Sequence, residues 1–305
     1  MKALITGSTG FVGPYLKKEL ESHGYEVFGM DRHNPENVKN VFCGDIRNAG
    51  FVEDVIGRVL PDEVYHLAGF SSVKKSFDEP ELTMEINVGG TKNLLDAVEK
   101  FCPKSKVLIV SSADVYGKPK KIPIDENEEV QETSPYSKSR IAQEKLIDEF
   151  KDLHIVVSRS FNHTGPGQPE IFVLPDFVKQ VVEIEKGIGN PVIFTGNLNV
   201  VRDFSDVRDV VRAYYLLLQK GKKGEIYNVG SGKGYNLEEL LYKIIELSGA
   251  KVEVRQDPSK MRPVEIVELV ADVSKTMKDV GWELDYSMDR TIEDLLNYWR
   301  FKFNI

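Results

Sequence analysis

In the segment Ser134-Pro135-Tyr136-Ser137-Lys138-Ser139-Arg140, a tyrosine and an arginine stand four positions apart. If Pro135 opens a helix, positions i and i+4 share one face, so the phenol and the guanidinium look into one pocket. A cation beside a phenol favours the phenolate, and such a group can pass a proton to or from a sugar hydroxyl or ketone. Lys138 is only two positions from Tyr136 and points elsewhere on the same helix. Upstream, Ser111-Ser112-Ala113-Asp114-Val115-Tyr116-Gly117 offers a hydroxyl, Ser112, and a carboxylate, Asp114, at the end of a strand-like run.

A second constellation lies at the start of the chain. Lys2 to Thr6 reads as a short buried strand and Phe11 to Ser22 as an amphipathic helix, with Gly7-Ser8-Thr9-Gly10-Phe11-Val12-Gly13 between them. The first glycine permits a sharp turn, and the second lets backbone approach a diphosphate. The third lets the helix pack near the strand, while the helix N-terminus offers free N–H groups. Asp31 closes the next strand at the spacing expected of the acidic residue that binds a ribose diol. That carboxylate favours NAD, while Arg32 beside it leaves NADP open, since a guanidinium can bind a 2′-phosphate or stack on adenine.

Further strands at Val107 to Ser111 and Ile155 to Ser158, and helices near 51–59, 90–101 and 136–151, alternate along the chain. This predicts an α/β fold with a Rossmann-like, doubly wound parallel sheet and ligands at the carboxyl ends of the strands. Ser112, Tyr136 and Asn162-His163 then converge on one edge. His66, inside the strand Glu63-Val64-Tyr65-His66, reads as a packed structural histidine. After Gly167 the pattern breaks into a smaller α/β substrate-binding lobe. The expected division is 1–164 plus 201–230 for the dinucleotide domain and 165–200 plus 231–305 for the lobe, with substrate in the cleft between them.

The 305 residues suffice for such an arrangement. A net charge of −8 gives no electrostatic case for nucleic acid, and no apolar run approaches a bilayer span. The opening Met1-Lys2-Ala3-Leu4-Ile5-Thr6-Gly7 is too short in apolar residues for a secretory signal. Cys43 and Cys102 lack metal or redox spacing, so reduced thiols in a cytoplasmic protein without a metal are expected.

The glycine run, Ser112, Tyr136 and Arg202-Asp203-Phe204-Ser205-Asp206-Val207-Arg208-Asp209-Val210 resemble the extended short-chain dehydrogenase/reductases, which mostly act on nucleotide sugars. Ser111 to Gly117, Phe161-Asn162-His163-Thr164-Gly165-Pro166-Gly167-Gln168, Gly196-Asn197-Leu198 and Asp257-Pro258-Ser259-Lys260-Met261-Arg262-Pro263-Val264-Glu265 resemble the GDP-sugar members. Among these the GDP-4-keto-6-deoxymannose reductases are the nearest, with the GDP-mannose 4,6-dehydratases beside them. The resemblance implies that Ser112 hydrogen-bonds the sugar C4 oxygen and that Tyr136 donates the proton. Arg140 replaces the family's lysine, which holds the nicotinamide ribose. Gly7, Thr9, Gly10, Phe11, Val12, Asp31 and Arg32 would bind the cofactor with Tyr136 and Arg140. Asp45 and Ile46 would touch adenine, and Leu67, Ala68 and Gly69 would lie along the diphosphate. Asn162, Lys179 and Leu198 would meet the substrate, Arg202 and Arg262 its diphosphate, and Glu265 its ribose or base.

The implied reaction is NAD(P)H-dependent reduction of the C4 ketone of GDP-4-keto-6-deoxymannose to GDP-rhamnose by a homodimer. A 4,6-dehydratase needs a placed acid/base for C5 and C6; the family's dehydratases carry glutamate where this chain has the shorter Asp114. The dehydratase and a 4-epimerase are the enzymatic alternatives, and a non-catalytic, cofactor-binding regulatory protein is the alternative from another class.

Overall fold

The computed structural model describes residues 1–261 and 266–304. Thirteen strands run as β1 (Lys2–Thr6), β2 (Glu26–Asp31), β3 (Val41–Cys43), β4 (Glu63–His66), β5 (Lys106–Ser112), β6 (His154–Ser160), β7 (Asn162–Thr164), β8 (Val192–Thr195), β9 (Val201–Asp206), β10 (Ile226–Val229), β11 (Gly234–Asn236), β12 (Glu253–Gln256) and β13 (Glu268–Leu269). Seven of them form one parallel sheet in the order β10-β6-β5-β4-β1-β2-β3. The order reverses at β1, which lies between β4 and β2, and that switch point is where the first glycine turn emerges.

The helices are α1 (Val12–Ser22), α2 (Ala49–Val59), α3 (Val73–Ser76), α4 (Pro80–Met84), α5 (Gly90–Phe101), α6 (Pro135–Lys145), α7 (Val173–Glu185), α8 (Val207–Lys220), α9 (Leu237–Ser248), α10 (Ser274–Val280) and α11 (Met288–Phe303). One face of the sheet is covered by α1 and α8 through Leu16, Leu20, Val210 and Leu217. The other face meets α2 and α5 through Val52, Ile56, Leu94 and Val98. The sheet strands are apolar on both faces because both are covered, which is why they read as runs and not as alternations. The helix expected over 136–151 ends at Lys145, and a tighter turn, Leu146–Asp148, continues it.

A separate core joins α7, α9, α11 and β8 through Phe177, Leu241, Leu295 and Ile193. It supports the sheet β11-β9-β13, with β7 also paired to β9, and the two-stranded β8-β12 pair. Asn236 caps α9 by accepting from the Glu238 and Glu239 N–H groups. No described helix is long and apolar enough to cross a membrane.

Candidate active site

The turn after β1 is shaped by what its glycines leave out. Gly7 has φ +70°, and a Cβ there would stand 2.9 Å from the Ala68 nitrogen. The turns after β1 and β4 are therefore in backbone contact, pinned by the Ala68 N–H donating to Thr6 Oγ1 at 3.1 Å. A Cβ on Gly13 would lie 2.2 Å from the Ser8 carbonyl oxygen, so α1 starts hard against the turn. The first turn of α1 contains no acidic residue, and Phe11 provides no side-chain cap. Its N–H groups and partial positive charge stay available to an anion. This cradle fits a dinucleotide diphosphate.

Around it stand the other expected cofactor residues. Asp31 accepts from the Thr9 N–H at 2.9 Å and from the Arg32 N–H at 2.7 Å, so the carboxylate closes the glycine turn from the end of β2 while Arg32 itself is exposed. Phe11 stacks on His163 with centroids 6.2 Å apart, linking α1 to β7, and Val12 opens α1. Asp45 is gripped by Arg47 at distances of 2.8 to 3.2 Å, which holds its carboxyl below the usual range. Ile46 is buried under Gly90, where a Cβ would come within 2.7 Å of its Cγ2. Leu67, Ala68 and Gly69 form the turn that faces Gly7.

The helix α6 is started by a capping box between Ser134 and Ser137, with Pro135 in its first turn. That start places Tyr136 nearly buried, its N–H donating to Ser76 Oγ at 3.2 Å. One turn on, the Arg140 guanidinium lies over the Tyr136 ring, 5.2 Å from its centroid. Arg140 is only 5% exposed; its Nη1 donates to Val110 O at 3.1 Å and to Gln143 Oε1 at 2.8 Å, while its buried Nε has no partner among the described residues. Gly69 makes room for Nη2, which would lie 2.7 Å from a Cβ there. Lys138, by contrast, is on the surface near Glu132. Ser112 ends β5, and its hydroxyl donates to Asp114 Oδ2 at 3.0 Å. An unpartnered buried N–H on the guanidinium that covers the Tyr136 ring is one that a bound hydrogen-bond acceptor would satisfy.

Sequence reasoning missed what lies beneath these groups. Asn87 sits in a single wide π turn, Glu85–Gly89, between α4 and α5. It accepts from the Phe70 N–H at 2.7 Å and donates to Ser139 Oγ at 2.8 Å, tying the turn after β4 to α6. His66 is fully buried, as expected of a structural histidine, between Thr6 Oγ1 at 2.7 Å and Thr91 Oγ1 at 2.8 Å. The run Asn87-Val88-Gly89-Gly90-Thr91 was the available signal for both partners. Burial, and then the Arg140 charge, push the His66 imidazole down to about 3.

Below pH ~6.5 an unfolded histidine takes up a proton that folded His66 refuses, so His66 removes stability as pH falls from there toward 3. A His66→Gln variant should lack this loss. Relative to the parent it should gain about 1.4 kcal/mol per pH unit between roughly pH 6 and pH 4. Urea midpoints measured across that range test it; parallel curves for the two proteins would refute the assignment. Carboxyls such as Asp209, raised by burial to about 6, contribute equally to both and cancel.

On the substrate side the expected residues that the structure describes lie on β7, on α7, on β9 and in the loop before β9. Asn162 is exposed at the start of β7, paired in register with Phe204. Lys179 pairs with Glu183 at 3.3 Å on α7, and Leu198 packs partly against the lobe's core. Arg202 is buried and donates to Val201 O at 2.9 Å and Val267 O at 3.3 Å. Arg262 and Glu265 lie outside the described residues. Just before them, Lys260 pairs with Asp176 at 2.6 Å, and Lys74 of α3 donates to the Ser259 carbonyl at 2.8 Å. The second bond joins the β4 side of the large sheet to the small lobe and was not foreseen.

The GDP-mannose 4,6 dehydratase family model matches residues 4–295. The chain is 31% identical over 304 residues to the GDP-6-deoxy-D-mannose reductase of Pseudomonas aeruginosa, covering 98% of this chain and 97% of that one. Among solved structures, that of RMD from Pseudomonas aeruginosa complexed with NADPH superposes with a TM-score of 0.87 at 30% identity, over 99% of both chains. The Thermus thermophilus UDP-glucose 4-epimerase complex with NAD gives a TM-score of 0.89 at 30% identity, over 98% of this chain and 99% of that one.

Proposed function

We propose that this chain, which belongs to the GDP-mannose 4,6 dehydratase family within the extended short-chain dehydrogenase/reductases, reduces the C4 ketone of GDP-4-keto-6-deoxy-D-mannose. The product is GDP-rhamnose. It is an NAD(P)-dependent oxidoreductase whose cofactor would rest on the Gly7-to-Gly13 turn, beside Asp31 and the Leu67-Ala68-Gly69 turn. A bound reduced nicotinamide supplies the hydride that carbon C4 receives. Tyr136 would give its phenolic proton to the C4 oxygen, with the Arg140 cation offsetting the negative charge left on the ring. Ser112 would hold the same oxygen by a hydrogen bond once its single hydroxyl proton swings from Asp114 Oδ2 to the sugar. Arginine has no neutral form at working pH, so Arg140 acts electrostatically and relays no proton through itself.

The observation that carries the reductase reading is the bond from Ser112 to Asp114 at 3.0 Å. Asp114, shorter by a methylene than the glutamate of the family's dehydratases, is turned back onto the Ser112 hydroxyl instead of standing free as a base for C5. The 31% identical reductase supports the same reading. Dehydration of GDP-mannose is the second reading, favoured by the matching family's own name. A cytoplasmic homodimer completes the proposal.

The test is nicotinamide absorbance after mixing the protein with NADH or NADPH and the keto sugar, with GDP-mannose plus oxidised cofactor in parallel. Loss of the reduced cofactor only with the keto sugar is the expected result. Conversion of GDP-mannose with no such loss would replace the reductase reading by the dehydratase one.

A further inference from the structure

Arg140 is held by a buried network in which the direction of each hydrogen bond is determined. The Asn87 carbonyl can only accept, so the Thr91 hydroxyl proton goes to it and His66 must donate to Thr91 from Nε2, which leaves Nδ1 to accept the Thr6 hydroxyl proton while Thr6 Oγ1 accepts from the Ala68 N–H. His66 then carries its proton on Nε2 and donates to Thr91 Oγ1, which also receives the Gln143 Nε2–H at 2.7 Å and donates onward to Asn87 O at 2.6 Å. Thr91 Oγ1 is thereby full, with two bonds accepted and one donated. This fixes the Gln143 amide: its nitrogen must face Thr91, and its oxygen must face the Arg140 Nη1, since a guanidinium only donates. Thr6, His66, Thr91 and Gln143 are all fully buried, so none of these bonds competes with water.

We propose that Gln143 is the positioning residue of the nicotinamide site, setting the rotation of the Arg140 guanidinium. With Nη1 committed to Gln143 and Val110, the plane cannot turn about its stem. The Nε edge and the Nη2 beside Gly69 are left for the cofactor. A compact lysine ammonium needs no such orientation, whereas a planar fork does. Gln143 is thus the residue that makes arginine workable at position 140. This inference rests on the nicotinamide reading of the preceding section but not on the identity of the sugar.

The test is a cycle of four proteins, the parent, Gln143→Met, Arg140→Lys and the double variant, titrated with NADPH and NADH by nucleotide fluorescence. Steady-state rates and circular dichroism accompany each titration. In the Arg140 background, Gln143→Met should weaken the better cofactor roughly tenfold, as loss of a hydrogen bond to a charged group predicts. In the Arg140→Lys background the same change should cost less than about twofold, a non-additivity that mere packing would not give. Equal losses in both backgrounds, or none in the first, would overturn the proposal. Gln143→Ala repeats the cycle if the methionine variant does not fold. A parent that binds neither cofactor would sink the nicotinamide reading together with this one, whereas a parent that binds just as Gln143→Met does would sink this one alone.

Discussion

Tyr136→Phe should lower kcat by roughly 10² to 10⁴, the range typical of losing a positioned general acid. The change removes one oxygen and leaves the ring under the Arg140 guanidinium, 5.2 Å from its centroid. The phenol oxygen makes no hydrogen bond among the described residues, and the Tyr136 backbone N–H keeps its bond to Ser76. The thermal midpoint should therefore move little, and the loss should fall on kcat, since the lost proton acts on the sugar oxygen in the transition state. A fall in kcat with an unchanged KM would show that the phenol contributes little to ground-state binding. Turnover within about threefold of the parent would eliminate Tyr136 as the proton donor. A parent that binds cofactor but turns over no sugar would instead revive the regulatory, non-catalytic reading, because that function requires cofactor binding but no proton transfer.

The cradle and its acid were legible because their signals are local. Strand, three glycines and helix fall within the span of residues 2–22, and each glycine answers to a steric requirement of its immediate neighbours. The pairing of Tyr136 with Arg140 was legible for the same reason, being a matter of helical spacing. The network under Arg140 was not. Its members come from β1, β4, α5 and α6, joined across sequence separations of 60, 25 and 52 residues. Moreover α6 buries Ser137, Ser139, Arg140 and Gln143, so its inward face carries polar residues where an apolar stripe would have marked it. Beyond residue 165, α7 and α9 were legible from their apolar residues, while α10 and α11 were not read. The sheet β11-β9-β13 with β7 was not legible, because β7, β11 and β13 are two or three residues long, too short for an alternation to register. Asp31 shows the same limit at one residue: its place after β2 was readable, but its grip on the Thr9 N–H was not.

The largest effect on stability is expected two turns along α6 from Tyr136, where Glu144 pairs with Arg159 of β6 at 2.8 Å with side chains 8% and 6% exposed. Glu144 also accepts from Ser111 Oγ at 2.5 Å, and Arg159 lies over the Tyr116 ring, 4.8 Å from its centroid. The pair therefore joins α6 to β5 and β6 directly behind Ser112. Arg159→Met should destabilise the fold by about 3–5 kcal/mol, because it strands a buried carboxylate. For a chain of this size that corresponds to a fall of roughly 5–8 °C in the thermal midpoint. Glu144→Leu combined with Arg159→Met should recover most of the loss, since an apolar pair escapes the desolvation that both ions suffer. If the double variant is less stable than Arg159→Met alone, the ion pair is not the source of the loss, and the Tyr116 and Ser111 contacts must carry it. The same comparison separates stability from catalysis. A double variant with a restored midpoint but a depressed kcat would mean that the charge pair, and not merely a packed helix, keeps Tyr136 in register with the end of β5.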